Sequence, residues 1–119
     1  MKFIIDDANI QKIKSIYNYY PVDGVTTNPS FLTKSGRKPY EVLKEIRDFI
    51  GDKAELRAQV ILRTTEGMIE EGRKMVEILG KNTYIKIPTV PEGLKAMRIL
   101  SSQGYKITAT AFTLLYRRI

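Results

Sequence analysis

A lysine lies in the middle of an apolar segment, residues 82–90, that reads Asn-Thr-Tyr-Ile-Lys-Ile-Pro-Thr-Val. The isoleucines on either side of Lys86 predict a buried strand, on which successive side chains point to opposite faces. Burial disfavours the ammonium form of lysine and lowers its pKa, so more of the amine is neutral. A neutral amine can add to a carbonyl carbon and form a Schiff base. The alternative is a lysine at a strand end with its ammonium in solvent.

Other polar residues also fall at the C-terminal ends of predicted strands, and these are Asp6, Asn28, Gln59 and Thr110. In parallel α/β folds, active sites are built at this edge of the sheet. Each residue also has a structural explanation, such as capping a helix, ordering a loop before a proline or satisfying backbone groups. Because strand alternation places them all on one face together with Lys86, we favour a single shared site.

The strands that carry these residues belong to a repeated strand–helix unit. Apolar strand residues occur at Phe3, Val25, Leu56, Tyr84 and Ile107, which are 22, 31, 28 and 23 residues apart. We predict strands at 2–6, 22–27, 55–61, 83–87 and 106–110, with a helix between each pair. Thr89 and Glu92 have the spacing of a capping box for the last helix. Repeated β-α units predict parallel strands with right-handed crossovers, in a sheet that stays open or closes as an eight-stranded barrel.

Composition limits the chemistry that this chain can perform. The 119 residues suffice for one domain, and they include neither Cys nor His, which excludes thiolate sites and His-dependent triads or metal sites. A catalytic base must therefore be Lys, Tyr, a carboxylate or a held water. The net charge of +7 suits a phosphorylated small molecule as well as nucleic acid. Since the basic residues are scattered among acidic ones, we expect no nucleic-acid partner.

No apolar run reaches membrane-spanning length and no signal-peptide pattern is present. We therefore expect a cytoplasmic protein without a membrane partner.

Several segments together resemble the fructose-6-phosphate aldolase and small transaldolase family. They are Phe-Ile-Ile-Asp-Asp at 3–7, Gly-Val-Thr-Thr-Asn-Pro-Ser at 24–30, Ala-Gln-Val at 58–60, Thr-Glu-Gly-Met at 65–68, Tyr-Ile-Lys-Ile-Pro at 84–88, Glu-Gly-Leu-Lys-Ala at 92–96 and Thr-Ala-Thr-Ala at 108–111. They follow one another in order from Met1 to about Ala111.

The resemblance implies an eight-stranded α/β barrel and a class I mechanism that needs no metal or other cofactor. It implies that Lys86 forms the Schiff base with a ketose phosphate or dihydroxyacetone-type ketone, and that Asp6 transfers a proton at the cleaved bond. Gln59 and Thr110 would hold the catalytic water. Asn28 would bind the hydroxyls of the dihydroxyacetone unit, and Thr26 would support the lysine. Transaldolases of the family tend to carry Glu where this chain has Gln59, which favours the aldolase branch.

The chain stops after the fifth predicted strand, where the family barrel continues with its water-activating tyrosine and its phosphate-binding Arg and Ser. We therefore expect an α/β fold of about five strands and four helices, a truncated TIM barrel or half-barrel spanning residues 1–119, with a divergent tail at 112–119. Arg57 shares the inner face with Gln59, and an unpaired guanidinium inside a packed barrel would be costly, whereas the face of an unclosed sheet could stay wet. This favours an incomplete barrel. We expect the open sheet edges to favour a homo-oligomer. The alternative to an enzyme is a half-barrel that only self-associates or binds sugar phosphate weakly.

Overall fold

The computed structural model describes residues 2–27 and 36–110. Strands and helices alternate along the described residues, with a helix between each strand and the next. The elements are β1 (Ile4–Asp6), α1 (Ile10–Tyr17), β2 (Gly24–Thr26), α2 (Pro39–Ile50), β3 (Glu55–Gln59), α3 (Thr65–Leu79), β4 (Thr83–Pro88), α4 (Pro91–Ser102) and β5 (Lys106–Thr110). The predicted order of elements is confirmed. The first three strands are shorter than predicted, and β4 extends one residue further.

The strands in the described part of the chain form one parallel sheet in the order β1-β2-β3-β4-β5, so every strand pairs with its neighbours in sequence. Consecutive parallel strands joined by right-handed crossovers place all their helices on the same face of the sheet. The fold class is therefore the expected one: parallel β-α units arranged as in half of a TIM barrel.

The hydrophobic core lies between this sheet and the helices. On β4 the pattern alternates strictly, with Thr83, Ile85 and Ile87 buried and the residues between them partly exposed. The remaining core residues come from every element but β5, and they include Ile5, Ile13, Val25, Val42, Leu43, Ile46, Leu56, Ala58, Met68, Met75, Leu79, Ala96 and Leu100. Since β5 is the last strand of the sheet, its residues are only half-buried or exposed.

Most helices in the described residues begin or end at a residue whose type suits that position. The Asn9 side chain accepts from the backbone N–H groups of the first turn of α1, and Thr64 does the same for α3. Pro39 occupies the first turn of α2, where its missing N–H has no cost. Gly51 and Gly80 follow α2 and α3 with φ angles of 85° and 100°, a region that other residues rarely adopt.

The predicted capping box at the start of α4 is wrong. The helix begins after Val90, and no side chain caps it. The Glu92 carboxylate instead accepts hydrogen bonds from the backbone N–H of Thr65 (3.0 Å) and from its hydroxyl (2.9 Å), at the start of α3. Glu92 therefore ties the first turns of two adjacent helices together, a contact between residues 27 positions apart in sequence.

A buried arginine holds the opposite end of the sheet together. Arg47 on α2 is only 4% exposed, yet within residues 2–27 and 36–110 its hydrogen bonds go chiefly to main-chain carbonyls and it forms no ion pair. Its guanidinium donates to the carbonyl oxygens of Leu79, Gly51, Ala54 and Asn82 at 2.7–2.9 Å. These carbonyls belong to the ends of α2 and α3 and to the segments that lead into β3 and β4. Arg47 thus fixes the spacing of the two central strands.

No helix within residues 2–27 and 36–110 is long and apolar enough to cross a membrane.

Candidate active site

The candidate residues that the structure describes project from the face of the sheet opposite the helices, which we call the open face. Most of these residues directly follow one that is buried under the helices, so their side chains point to the opposite face; they are Asp6, Thr26, Gln59 and Lys86. Thr110 ends β5 two residues beyond Thr108, which pairs with Lys86. Asn28 lies outside the described residues, so its predicted place in the site stays a prediction.

The candidate residues form a diagonal band across the sheet. The register pairs Asp6 with Thr26 and Gln59 with Lys86. The row that contains Asp6 continues through Thr26, Arg57 and Tyr84 to Lys106, so Thr110 lies four residues beyond this row on β5. The band thus rises four residues over the four steps from β1 to β5. An eight-stranded barrel with a shear of 8 has the same slope of one residue per strand, which keeps such a band at one height along the barrel axis.

The Lys86 amine lies at the centre of this band and is held by β2. Its Nζ donates to the hydroxyl Oγ1 of Thr26 at 3.2 Å and to the main-chain carbonyl oxygen of Thr27 at 3.0 Å. Both acceptors are neutral, so the amine is not neutralised by a direct ion pair among the described residues. The predicted contact between Thr26 and Lys86 is present, whereas the Thr27 carbonyl was not anticipated.

Three effects set the proton affinity of this amine. Burial lowers the pKa of Lys86, the negative charge of Asp6 raises it, and the positive charge of Arg57 lowers it further. Desolvation is the largest of the three, and the net result is a pKa below that of an ordinary lysine. The shift has the direction that nucleophilic chemistry needs, since it enlarges the neutral fraction at a given pH.

The other described candidates lie on β1, β3 and β5, and one of them has a hydroxyl that no described residue satisfies. Gln59 is the register partner of Lys86 and is partly exposed, and Asp6 is exposed at the end of β1. The hydroxyl of Thr110 is buried and has no hydrogen-bond partner among the described residues. Unpaired buried hydroxyls are uncommon, and an ordered water or ligand atom is one way to satisfy them. These positions are compatible with the water-holding role predicted for Gln59 and Thr110.

Arg57 is paired, so the cost considered for an unpaired guanidinium on the inner face does not apply to it in full. Its guanidinium donates to Glu55 at 2.9 Å and stacks on the Tyr84 ring, with 4.8 Å between the guanidinium carbon and the ring centroid. Glu55 also binds Lys2 at 2.7 Å, and the Lys106 ammonium lies 5.4 Å from the same Tyr84 ring. The pairing was missed because the alternating pattern shows which face a residue occupies, but not which charges lie beside it.

Thr27 is the site residue that the sequence analysis missed. It lies in the Thr-Thr-Asn-Pro-Ser segment, but it acts on Lys86 through its carbonyl oxygen, which every residue possesses. Thr27 is also completely buried, unlike an ordinary loop threonine. A main-chain acceptor leaves no signal in residue type, so no sequence pattern could have identified it.

The described residues contain no group of three or more acidic side chains arranged to hold a metal ion. Two clefts, of about 400 and 500 Å³, lie at the other end of the sheet. The first is lined by residues around Arg47 and Gly80, and the second by residues around Asn82 and Lys106. Neither contains a residue of the diagonal band.

Comparisons with known proteins agree with this arrangement. A sequence profile of the transaldolase/fructose-6-phosphate aldolase family matches residues 3–117. A protein of Methanococcus vannielii named "Probable transaldolase" is 48% identical over 110 residues, which are 92% of this chain and 50% of that protein. Proteins of the same name from Aquifex aeolicus and Clostridium acetobutylicum are each 44% identical, over 92% of this chain and 49% and 50% of their own lengths.

The chain thus spans about half the length of the curated relatives that it matches. The family match covers nearly all of the chain and includes the strands that carry the diagonal band. This chain belongs to the transaldolase/fructose-6-phosphate aldolase family.

Proposed function

We propose that this chain carries the Schiff-base half of a class I aldolase site, with Lys86 as the nucleophile. The observation that supports this most is the state of the Lys86 amine. It is half-buried on the open face, its pKa is lowered, and neutral acceptors hold it. A structural lysine would gain more from a carboxylate partner or from a solvent-exposed ammonium. The proposed substrates are ketose phosphates or dihydroxyacetone-type ketones, and the proposed mechanism uses no metal.

In this mechanism the neutral Lys86 amine adds to the ketone carbon C2, and loss of water leaves an iminium ion. Asp6 accepts the proton of the C4 hydroxyl while the C3–C4 bond breaks, and the electron pair of that bond flows into the iminium to give an enamine. The fragment that begins with C4 leaves, and C4 becomes its aldehyde carbon. Asn28 would bind the hydroxyls of the remaining three-carbon unit, and Gln59 with Thr110 would hold the water that moves protons around the imine.

The enamine has two fates, which correspond to the two activities in the family's name. Protonation at C3 and hydrolysis release dihydroxyacetone, whereas attack on a second aldehyde transfers the unit to a new sugar phosphate. The names of the compared relatives favour transfer. Gln59 favours cleavage, because transaldolases of the family tend to carry Glu at this position. Product analysis with and without an acceptor aldehyde phosphate would separate the two.

The remaining proposal concerns partners. The open face carries charged and polar residues that a second layer could cover, and β1 and β5 each have one edge unpaired within the described sheet. Unpaired parallel edges favour association with another sheet edge. We therefore propose a homo-oligomer as the state in which this chain covers its open face.

The test of the proposed chemistry is to trap the imine with borohydride. The chain is incubated with dihydroxyacetone, reduced and digested, and the adduct is located by mass spectrometry. We expect it on the peptide that contains residues 84–88, and we expect Lys86→Met to remove it while circular dichroism shows an unchanged fold.

Lys106→Met is the matched control, because Lys106 lies on the same open face but is exposed and donates to the Asn82 side chain at 2.7 Å. This variant should keep the adduct on Lys86. Labelling that is spread over surface lysines, or that persists in Lys86→Met, would contradict the proposal. The non-catalytic half-barrel that only self-associates or binds sugar phosphate weakly would then be the better interpretation.

A further inference from the structure

Thr27 makes an unusual pair of hydrogen bonds immediately after the end of β2. Its backbone N–H donates to the carbonyl oxygen of Arg57 at 2.9 Å, and its hydroxyl donates to the same oxygen at 3.2 Å. A carbonyl oxygen has two lone pairs, so it can accept both. Thr27 is also completely buried. Thr27 thus donates two hydrogen bonds to a single acceptor on β3, one from its main chain and one from its side chain.

The same residue presents its own carbonyl oxygen to Lys86, 3.0 Å from Nζ. A neutral amine has two N–H donors and one lone pair. When Thr27 and Thr26 accept the two N–H groups, the direction of the lone pair is set by where these acceptors lie. The Thr26 hydroxyl can rotate, but a carbonyl oxygen moves only with its peptide plane. The orientation of the attacking lone pair therefore depends chiefly on the Thr27 peptide.

We infer that Thr27 is a positioning residue: its hydroxyl anchors the Thr27 Cα and Cβ to β3 and thereby restricts the movement of the carbonyl oxygen that orients the Lys86 amine. This inference rests on the proposed function, because an oriented lone pair matters only if the amine attacks a carbonyl carbon. Thr27 touches no reacting atom of the substrate and acts through Lys86. Its contribution is to angle and distance, to which addition reactions are sensitive: a displacement of about 1 Å can cost roughly 100-fold in rate.

Two substitutions separate this role from a merely structural one. Thr27→Val keeps the buried volume and the backbone N–H bond but removes the hydroxyl. Thr27→Ser keeps the hydroxyl but removes a buried methyl group and leaves a small void. If the role is to position the amine, Thr27→Val should slow borohydride-trapped adduct formation at Lys86 about tenfold, while Thr27→Ser should stay within about twofold of the unsubstituted chain.

Thermal stability should follow the opposite order. Thr27→Ser should have the lower melting temperature, because it loses buried apolar volume, whereas Thr27→Val leaves the Arg57 carbonyl with one donor. Labelling of Lys86 by acetic anhydride, which needs no bound ketone, should change less than about twofold in either variant. If Thr27→Val does not fold, Thr27→Cys takes its place, since a thiol has a similar size and is a weak donor.

The possible failures can be told apart. An adduct that forms on Lys86 as fast in Thr27→Val as in the unsubstituted chain overturns this inference and leaves the proposed function standing. Slowing by both substitutions in proportion to their loss of stability assigns Thr27 a structural role and also overturns it. If the unsubstituted chain forms no adduct on Lys86, the proposed function fails, and the inference fails with it.

Discussion

Replacing Arg47 with methionine should destabilise the fold by about 3–5 kcal/mol, because the buried carbonyl oxygens that it bonds would lose their donor. The side chain is 4% exposed and makes its four short hydrogen bonds to carbonyl oxygens. Methionine has a similar length and preserves packing, so the substitution chiefly removes donors. Since the bonded carbonyls terminate α2 and α3 and precede β3 and β4, their loss loosens the frame that holds the central strands.

The magnitude follows from counting the acceptors left behind. A buried carbonyl that loses its donor costs roughly 1–3 kcal/mol, so four would cost about 4–12 kcal/mol if all stayed dry. Two effects reduce this sum. The cleft of about 400 Å³ beside Arg47, Gly51 and Leu79 lets water reach some of these oxygens. Removal of the guanidinium also recovers the free energy that its own burial costs, the effect that lowers the pKa of Arg47.

Urea unfolding followed by circular dichroism measures this loss, with two controls. Arg47→Lys keeps the charge, but one ammonium group cannot donate to all four carbonyl oxygens, so the free energy of unfolding should fall by about 2 kcal/mol. Arg73→Met removes an exposed arginine whose partner is the side-chain oxygen of Gln103, and it should change stability by no more than about 0.5 kcal/mol. A free energy of unfolding for Arg47→Met within about 1 kcal/mol of that of the unsubstituted chain would show that the bonds from Arg47 to the carbonyls contribute little to stability.

Two further predictions concern a glycine in the first turn of α4 and the loss of stability at low pH. Gly93→Ala should cost about 1–3 kcal/mol in urea unfolding, because a Cβ there would overlap the carbonyl oxygen of Pro88 and lie 3.1 Å from Ile87 Cγ2; an unchanged midpoint would show that α4 can shift freely. Hydrogen bonds from Thr65 lower the pKa of Glu92, and in Glu55 the bonds from Lys2 and Arg57 outweigh the opposing effect of burial and also lower the pKa. Both carboxylates therefore contribute stability above the unfolded value of 4.5, and this contribution is lost as the pH falls through their folded pKa values. The melting-temperature difference between the unsubstituted chain and Glu92→Gln should narrow from pH 7 towards pH 3, and a constant difference would refute the assignment.

Local signals were sufficient for the order of the elements and for most of their ends. Asn9, Thr64, Pro39 and Gly51 act within one turn of their own positions, so the residue type alone predicts what they do. The alternation on β4 likewise places Lys86 on the open face. For these residues the determining contact lies within a few positions, and the sequence predicts it.

Most of the contacts that the sequence did not reveal join residues far apart in the chain, although the missed pairing of Arg57 with Glu55 spans only two positions. Glu92 bonds to Thr65 across 27 positions, and Arg47 bonds to Asn82 across 35. On α2 the apolar ring of Phe49 is 39% exposed, while Arg47, two positions earlier, is buried. Periodicity assigns faces from apolarity, so it cannot recognise a cation whose burial is made favourable by distant carbonyls.

The sequential strand order has a consequence for how the site is assembled during synthesis. Because the described strands pair only with their neighbours in sequence, the sheet can grow strand by strand as the chain leaves the ribosome, N-terminal part first. The two acceptors of the Lys86 amine lie on β2 or just beyond it, about 60 residues upstream of the lysine. The receiving groups are thus in place before the nucleophile is made, and the amine enters a prepared environment instead of organising one around itself.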